Sequence, residues 1–365
     1  MATIHPVLSS KPYLSPRVPL SDVMTLGPAT NWADDNFLHP GWTLHELDFD
    51  NNRAIFLQTG ANNPLFSAPF SYQAQVTSAQ QVAFVDFDAF LKLSSHLKLP
   101  QHLIHLFNIG HCGSTLLHQV FNISGVAQCI SEPRFTFDLP FNRHRVSPPM
   151  LAELTNACMR FLTLLPGYDL AMPLVVKHFS QGCRIIETLV AASPHATNLF
   201  LYRDAIGYAN SRYGFIQRRG MPADITHENK HQRWQAMSVG QPESYLKGIL
   251  DINSPDVHFD EFAAIAWALL MQDYARARAN GIMLHPFRYN ELVADRSEQM
   301  ATIFNVCGLP VGQLAQALAG FDKPSHEGTS SDRTKPARKL PADAAERITR
   351  ILANPKLALD PNMIL

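Results

Sequence analysis

The chain has 365 residues, 46% hydrophobic and 17% charged, enough apolar content for one large domain or for a domain with a smaller companion. Thirty Lys and Arg offset 31 Asp and Glu, so the broad positive field of a nucleic-acid binder is missing and any anion site has to be local. No run of 18 consecutive apolar residues predicts a membrane span, and five scattered cysteines without CxxC spacing fit reduced thiols in a cytoplasmic protein.

The first 22 residues are broken by prolines and polar residues before any apolar stretch reaches signal length. TLHELDFDNNRAIFLQTG predicts two strands about an Asp50-Asn51-Asn52 turn, and DFDAFLKLSSHLKL predicts a helix that stops before Pro100. Residues 1–98 therefore form a small α+β module or extension, and residues 99–365 a second, larger unit. From residue 103 short apolar strands alternate with helices: LIHLFNIG then STLLHQVFNISG, AQCIS, MLAELTNACMRFLTLL, PLVVKHF then RIIETLVAA, TNLFLYRD then AIGYANSRYGFI. This alternation predicts an α/β fold with a central, mainly parallel sheet flanked by helices. A long helix (FDEFAAIAWALLMQDYARARANG), a strand (IMLHPFRYNEL), a further helix (SEQMATIFNVCG) and a polar surface loop (KPSHEGTSSDRTKPARK) follow.

LFNIGHCGSTLLHQVF runs strand, glycine turn, helix. Gly110 and Gly113 allow a tight turn, and the amides of Gly113, Ser114 and Thr115 would point out of the first helical turn toward an anion. The nucleotide-hydrolase loop GxxxxGK[ST] is not matched, because Ser114 follows Gly113 and the turn has no lysine to meet β and γ phosphates. Arg203 ends the strand TNLFLYRD, and Ser211 lies eight residues later on the next helix. Together they offer a bidentate donor and a hydroxyl to a second phosphate. Each feature alone is also what an ordinary structural turn or strand end would show.

GHCGSTLL resembles the 5′-phosphosulfate loop, and LFLYRDAIGYANS the 3′-phosphate motif, of sulfotransferases that use 3′-phosphoadenosine-5′-phosphosulfate (PAPS); FRYNELVADRSEQMATIFNVCGLP resembles a late segment of the same family. The resemblance spans about residues 103–340 and implies a P-loop NTPase-like fold, PAPS as co-substrate with 3′,5′-ADP as product, and transfer without a metal. It implies cofactor contacts from Gly110, His111, Cys112, Gly113, Ser114, Thr115, Arg203 and Ser211, with Ser331, Arg333 and Lys335 of the polar loop GTSSDRTKP folding over the nucleotide. Glu132, 21 positions after His111, matches the general base of the tyrosylprotein branch, and Lys177 matches a lysine that contacts the sulfuryl group there. Where the family generally has Lys or Arg, this chain has His111, which would donate to the leaving oxygen while Lys177 supplies permanent charge. Glu132 at a helix start, Lys177 as a snorkelling surface lysine and His111 as a plain polar residue remain the structural alternatives.

Cys112 at a helix N-terminus leaves a thiol enzyme open. His96, His102 and His105 straddle Pro100 and lack partners at metal spacing. A non-catalytic or kinase-like nucleotide binder is the alternative function. The acceptor is a small molecule, glycan, phenol or peptide; aromatic residues of the N-terminal module, the FDLPFNRHR segment and the Tyr208–Trp234 region would line its pocket, and Arg143, His144, Arg145, Arg218 and Arg219 would favour an acidic one.

Overall fold

The computed structural model describes residues 2–13, 15–32, 38–39, 41–60, 65–220, 224–238, 241–323, 339–357 and 359. Ser331, Arg333 and Lys335 lie outside the described residues.

The N-terminal part is a six-stranded antiparallel sheet built from β1 (Ala2–Ser10), β2 (Met24–Leu26), β3 (Thr30–Trp32), β4 (Trp42–Asp48), β5 (Arg53–Gln58) and β6 (Gln81–Asp86). Its order is β2-β1-β6-β5-β4, with β3 also on β1. The β4–β5 hairpin turns where the sequence predicts. Asp48 accepts from the amides of Asp50 and Asn51 at 3.1 and 3.2 Å and from Arg53 Nε at 2.9 Å, and Asn52 takes a positive φ of 51°. Strand β1 is not foreseen from its proline-broken sequence. It forms because Pro6 falls where β1 changes partner, β3 pairing with residues 2–4 and β2 with residues 7–10, so its missing N–H interrupts neither ladder. Helices α1 (Leu20–Val23), α2 (Ser71–Ser78) and α3 (Phe87–Ser94) complete this part.

The second sheet is parallel, with strands β7 (Leu103–Asn108), β8 (Gln128–Ser131), β9 (Leu174–Lys177), β10 (Thr197–Tyr202) and β11 (His285–Arg288) in the order β11-β10-β7-β9-β8. Every residue of β7 and β9 is buried, as a sheet covered on both faces requires. Helices α4 (Ser114–Ser124), α5 (Phe135–Asn142), α6 (Pro148–Phe161), α7 (Ile186–Ala192), α8 (Ala205–Arg218), α9 (Lys230–Met237) and α10 (Phe259–Ala279) follow their strands. The segment YNEL, read from sequence as the end of a strand, instead opens a short helix at Tyr289–Ala294, and β11 stops at Arg288.

After β7 the chain builds β8 and β9 on one side, then β10 on the other. The carboxyl ends of β7 and β10 thus flank the point where the winding reverses, the place where open α/β sheets leave a ligand crevice. The loop after β7 and the Arg203 that follows β10 meet there. The N-terminal sheet is not a detached unit: Trp42 and Phe56 share one apolar core with Ile104 and Phe107, and Tyr13 and Tyr72 pack with Phe137 and Phe179 in a second.

Candidate active site

Asn108, the last residue of β7, shapes the glycine loop. Its Oδ1 accepts from the Gly110 amide at 2.9 Å and from Ser114 Oγ at 3.3 Å, while its Nδ2 donates to the His178 carbonyl at 2.7 Å. The backbone then passes through three left-handed residues, Gly110 (φ 73°), His111 (φ 53°) and Gly113 (φ 87°). A non-glycine residue in that region costs roughly 1 kcal/mol or more, a strain typical of functional loops. At Gly113 steric room also matters, since a Cβ there would lie 2.5 Å from Tyr289 Cε2. Helix α4 begins at Ser114, and Ser114 and Thr115 both line the cavity in front of the loop.

Cys112 turns inward: its Sγ donates to the Leu201 carbonyl at 3.3 Å, and burial pushes its thiol up to about 11. An activated thiol is thereby removed as the chemistry of this loop, and Cys112 can offer a ligand only backbone. All five cysteines are buried and unpaired.

Arg203 lies across the loop from behind. Its Nη1 donates to the His111 carbonyl at 3.2 Å, its guanidinium sits 4.7 Å from the centre of the Tyr289 ring, and its own carbonyl accepts from Trp267 Nε1 of α10 at 2.8 Å. Gly207 makes this approach possible, because a Cβ there would come within 2.7 Å of Arg203 Nε. That Nε is buried and, among the described residues, has no hydrogen-bond partner. Asp204 caps α8 by accepting from the Gly207 amide at 2.6 Å, which aims the helix so that Ser211 and Arg218 reach both the main cavity and an adjoining recess lined by Arg203 and Lys339. The main cavity has a volume of about 340 Å³.

Glu132 follows β8 with a positive φ of 55°, its amide donating to the Lys177 carbonyl of neighbouring β9 at 2.8 Å. It is not part of a helix start; α5 begins at Phe135. The carboxylate lines the cavity and pairs with Lys177 Nζ at 2.6 Å. Lys177, read from sequence as a contact to the transferred group or as a surface lysine, is wholly buried behind Glu132 and is not among the residues lining the cavity. Its Nζ also donates to Ser131 Oγ at 3.1 Å, and Ser131 donates in turn to the Pro69 carbonyl at 2.6 Å. The His111 ring stands edge-on to Phe215 and Tyr208, with centroids 5.2 and 5.8 Å away.

Some wall residues fall in stretches expected to line an acceptor pocket, and others do not. Ser15, Pro16 and Arg17, with Phe70 and Tyr72, come from the N-terminal part; Arg212 and Arg233 come from α8 and α9. Phe70 and Tyr72 are among the N-terminal aromatics and Arg212 and Arg233 lie within residues 208–234; nothing local marks Ser15, Pro16 or Arg17. Of the basic residues expected near an acceptor, Arg218 and Arg219 line the cavity. Arg145 instead pairs with Asp50 at 2.7 Å, and Arg143 donates to the Pro140 carbonyl at 2.6 Å. The three early histidines do not converge on an ion: His102 bonds the Cys307 carbonyl and His105 bonds His178 and Ser193. Among the described residues no group of three or more His, Cys, Asp or Glu could hold a metal, and no helix is long and apolar enough to cross a membrane.

No protein-family model and no curated protein matches the chain. Among solved structures it is similar to sulfotransferase STF1 of Mycobacterium tuberculosis, at 15% identity and TM-score 0.40, covering 64% of this chain and 76% of that one. It is also similar to the sulfotransferase domain of the curacin biosynthetic pathway, at 14% identity and TM-score 0.39 over 72% of this chain and 99% of that one. A third is the sulfotransferase domain of the Synechococcus PCC 7002 olefin synthase, at 14% identity and TM-score 0.34, covering 72% and 96%.

Proposed function

We propose that the chain transfers a sulfuryl group from PAPS to a hydroxyl or amine of an acceptor. The observation that carries this reading is the convergence of two anion-binding groups on one crevice: the Gly110–Thr115 loop on the main cavity, and Arg203 with Ser211 on the recess that opens from it. The residues suit the compound. A glycine turn ending in a helix N-terminus fits a phosphate with its attached sulfate, and the Arg203 guanidinium, whose Nε lacks a partner among the described residues, fits the 3′-phosphate beside Ser211 and Lys339.

When bound, PAPS would supply an SO₃ group on a phosphate leaving group. The chain's own residues would do the rest by positioning and electrostatics. Amides of Gly113, Ser114 and Thr115, with the His111 ring, would face the oxygen on which charge develops. Glu132 would take the proton from the acceptor. Lys177, anchored by Ser131, would hold the Glu132 carboxylate in one orientation. A positioned base of this kind contributes roughly 10² to 10⁴ in rate.

The test is ligand binding followed by turnover. 3′,5′-ADP should raise the melting temperature and ATP with Mg²⁺ should not. Arg203→Ala should weaken 3′,5′-ADP binding by about 2 to 4 kcal/mol, and Glu132→Gln should leave binding intact while lowering turnover at least about a hundredfold. Stabilisation by ATP with Mg²⁺ alone, or an unchanged affinity in Arg203→Ala, would refute the assignment.

A further inference from the structure

Part of the cavity wall is left over from the chemistry above. Among the described residues the cavity is lined by five arginines and a single acid, Glu132, which already has Lys177. Arg203, Ser211, Arg218 and Lys339 gather at the recess proposed for the 3′-phosphate, so Arg17, Arg212 and Arg233 are not needed by the nucleotide. None of these three forms an ion pair among the described residues. Arg17 donates to the carbonyls of Gln235 and Ala236 at 3.4 and 3.0 Å, and Arg212 to Tyr208 Oη at 2.5 Å. Arg233 is only 9% exposed and faces the cavity, and among the described residues its guanidinium makes no hydrogen bond. A buried charge left in that state is costly unless something pairs with it. Desolvation and, second, the nearby Arg212 pull the guanidinium of Arg17 down to about 10; the same two causes, partly offset by the carboxylate of Asp224, hold that of Arg233 below its usual range. Arg212 repels both neighbours, and three arginines around one open volume make a setting that an anion would relieve.

An aromatic track leads from these arginines to the base. Arg17 lies 5.0 Å from the centre of Phe141 and 5.7 Å from that of Phe137; Phe137 meets Phe179 at 5.5 Å, Phe179 meets Tyr72 at 5.4 Å, and Tyr72 meets Phe70 at 6.1 Å. Phe70 in turn lies 5.7 Å from Lys177 Nζ, beside Glu132. Phe70, Tyr72, Phe137 and Phe179 all face the cavity.

We infer that the acceptor is an amphipathic anion: its hydroxyl meets Glu132, its flat or apolar body lies along the aromatic track, and its carboxylate or phosphate end is gripped by Arg17, Arg212 and Arg233. This rests on the sulfuryl-transfer reading for the role of the molecule, but the anion subsite can be tested without it. The N-terminal part thereby acquires a task, supplying Arg17, Phe70 and Tyr72 as the acceptor side of the site.

Isothermal titration of the full chain, with and without 3′,5′-ADP, would use para-hydroxyphenylacetate, its neutral analogue para-hydroxyphenylacetamide, and para-hydroxybenzylphosphonate. The two anions should bind at least about tenfold tighter than the amide, since charge-assisted arginine bonds are about twice as strong as neutral ones; the tighter of the two identifies carboxylate or phosphate. Arg233→Gln and, independently, Arg212→Gln should abolish the preference, Arg233→Lys should restore part of it, and 3′,5′-ADP affinity should stay within about twofold in all three. Equal affinity for acid and amide, a preference that survives both glutamine variants, or no saturable binding of either anion overturns the inference. Absence of 3′,5′-ADP binding with the anion preference intact would instead overturn the transferase reading and leave the anion subsite standing.

Discussion

Replacing Gly113 by alanine separates two demands that the structure places on one residue. The backbone there has φ 87°, which costs an L-residue about 1 to 2 kcal/mol. The added methyl would also stand 2.5 Å from Tyr289 Cε2, and forcing a methyl into a packed contact costs about 1 to 3 kcal/mol more. Gly113→Ala should therefore lose about 2 to 5 kcal/mol of stability. The ring cannot yield without consequence, because its centre lies 4.7 Å from the Arg203 guanidinium; displacing it should also weaken the 3′,5′-ADP binding proposed above. A double-mutant cycle with Tyr289→Ala, followed by urea unfolding, isolates the steric part. In the Tyr289→Ala background the alanine should cost only the backbone component, about 1 to 2 kcal/mol. Equal costs in the two backgrounds would show that the ring does not set the requirement, and no cost in either would refute the conformational argument altogether.

Acid should destabilise the protein earlier than surface carboxylates alone would. Burial pulls His45 down to about 4 and His105 and His118 to about 3, with Lys177 adding to the effect at His118, and it holds His178 well below its usual value. A histidine depressed in the folded state contributes stability above its unfolded value near 6.5 and loses it as pH falls toward the folded one. Glu46, Asp138 and Asp273, raised chiefly by burial, act in the opposite sense, three groups against four. Stability should drop on the order of 1 to 3 kcal/mol per pH unit below 6.5; urea midpoints that are flat between pH 6.5 and 5 would contradict this. Arg134→Leu should cost about 3 to 5 kcal/mol, since Arg134 pairs with Glu46 of β4 at 2.8 Å and Asp138 of α5 at 3.2 Å and ties the two sheets together. Equilibrium unfolding checks it, and a loss below about 1 kcal/mol would show that the buried cluster is not what joins them.

What was legible in the sequence was local. Apolar periodicity placed β7, α4, β9, β10, α8 and α10, because a strand or helix declares itself within about ten residues. The glycine turn, its lysine-free character and the Arg203–Ser211 interval were readable for the same reason. The misjudged stretches are those where neighbours far along the chain overrule local signals. Strand β1 survives Pro6 only because two different strands flank it, and YNEL turns helical beside a parallel edge that ends at Arg288.

By itself, then, the sequence determined the alternation of elements and the turn chemistry that makes anion-binding loops possible, since both follow from side-chain period and backbone freedom. Only the tertiary structure decided that Lys177 stands behind Glu132, that Ser211 and Arg203 open onto the same crevice as Gly113, and that Arg17 and Tyr72 complete the wall. Those pairings depend on strand order and register. No interval along a chain encodes them, because residues 45 positions apart meet only when adjacent strands bring their ends into line.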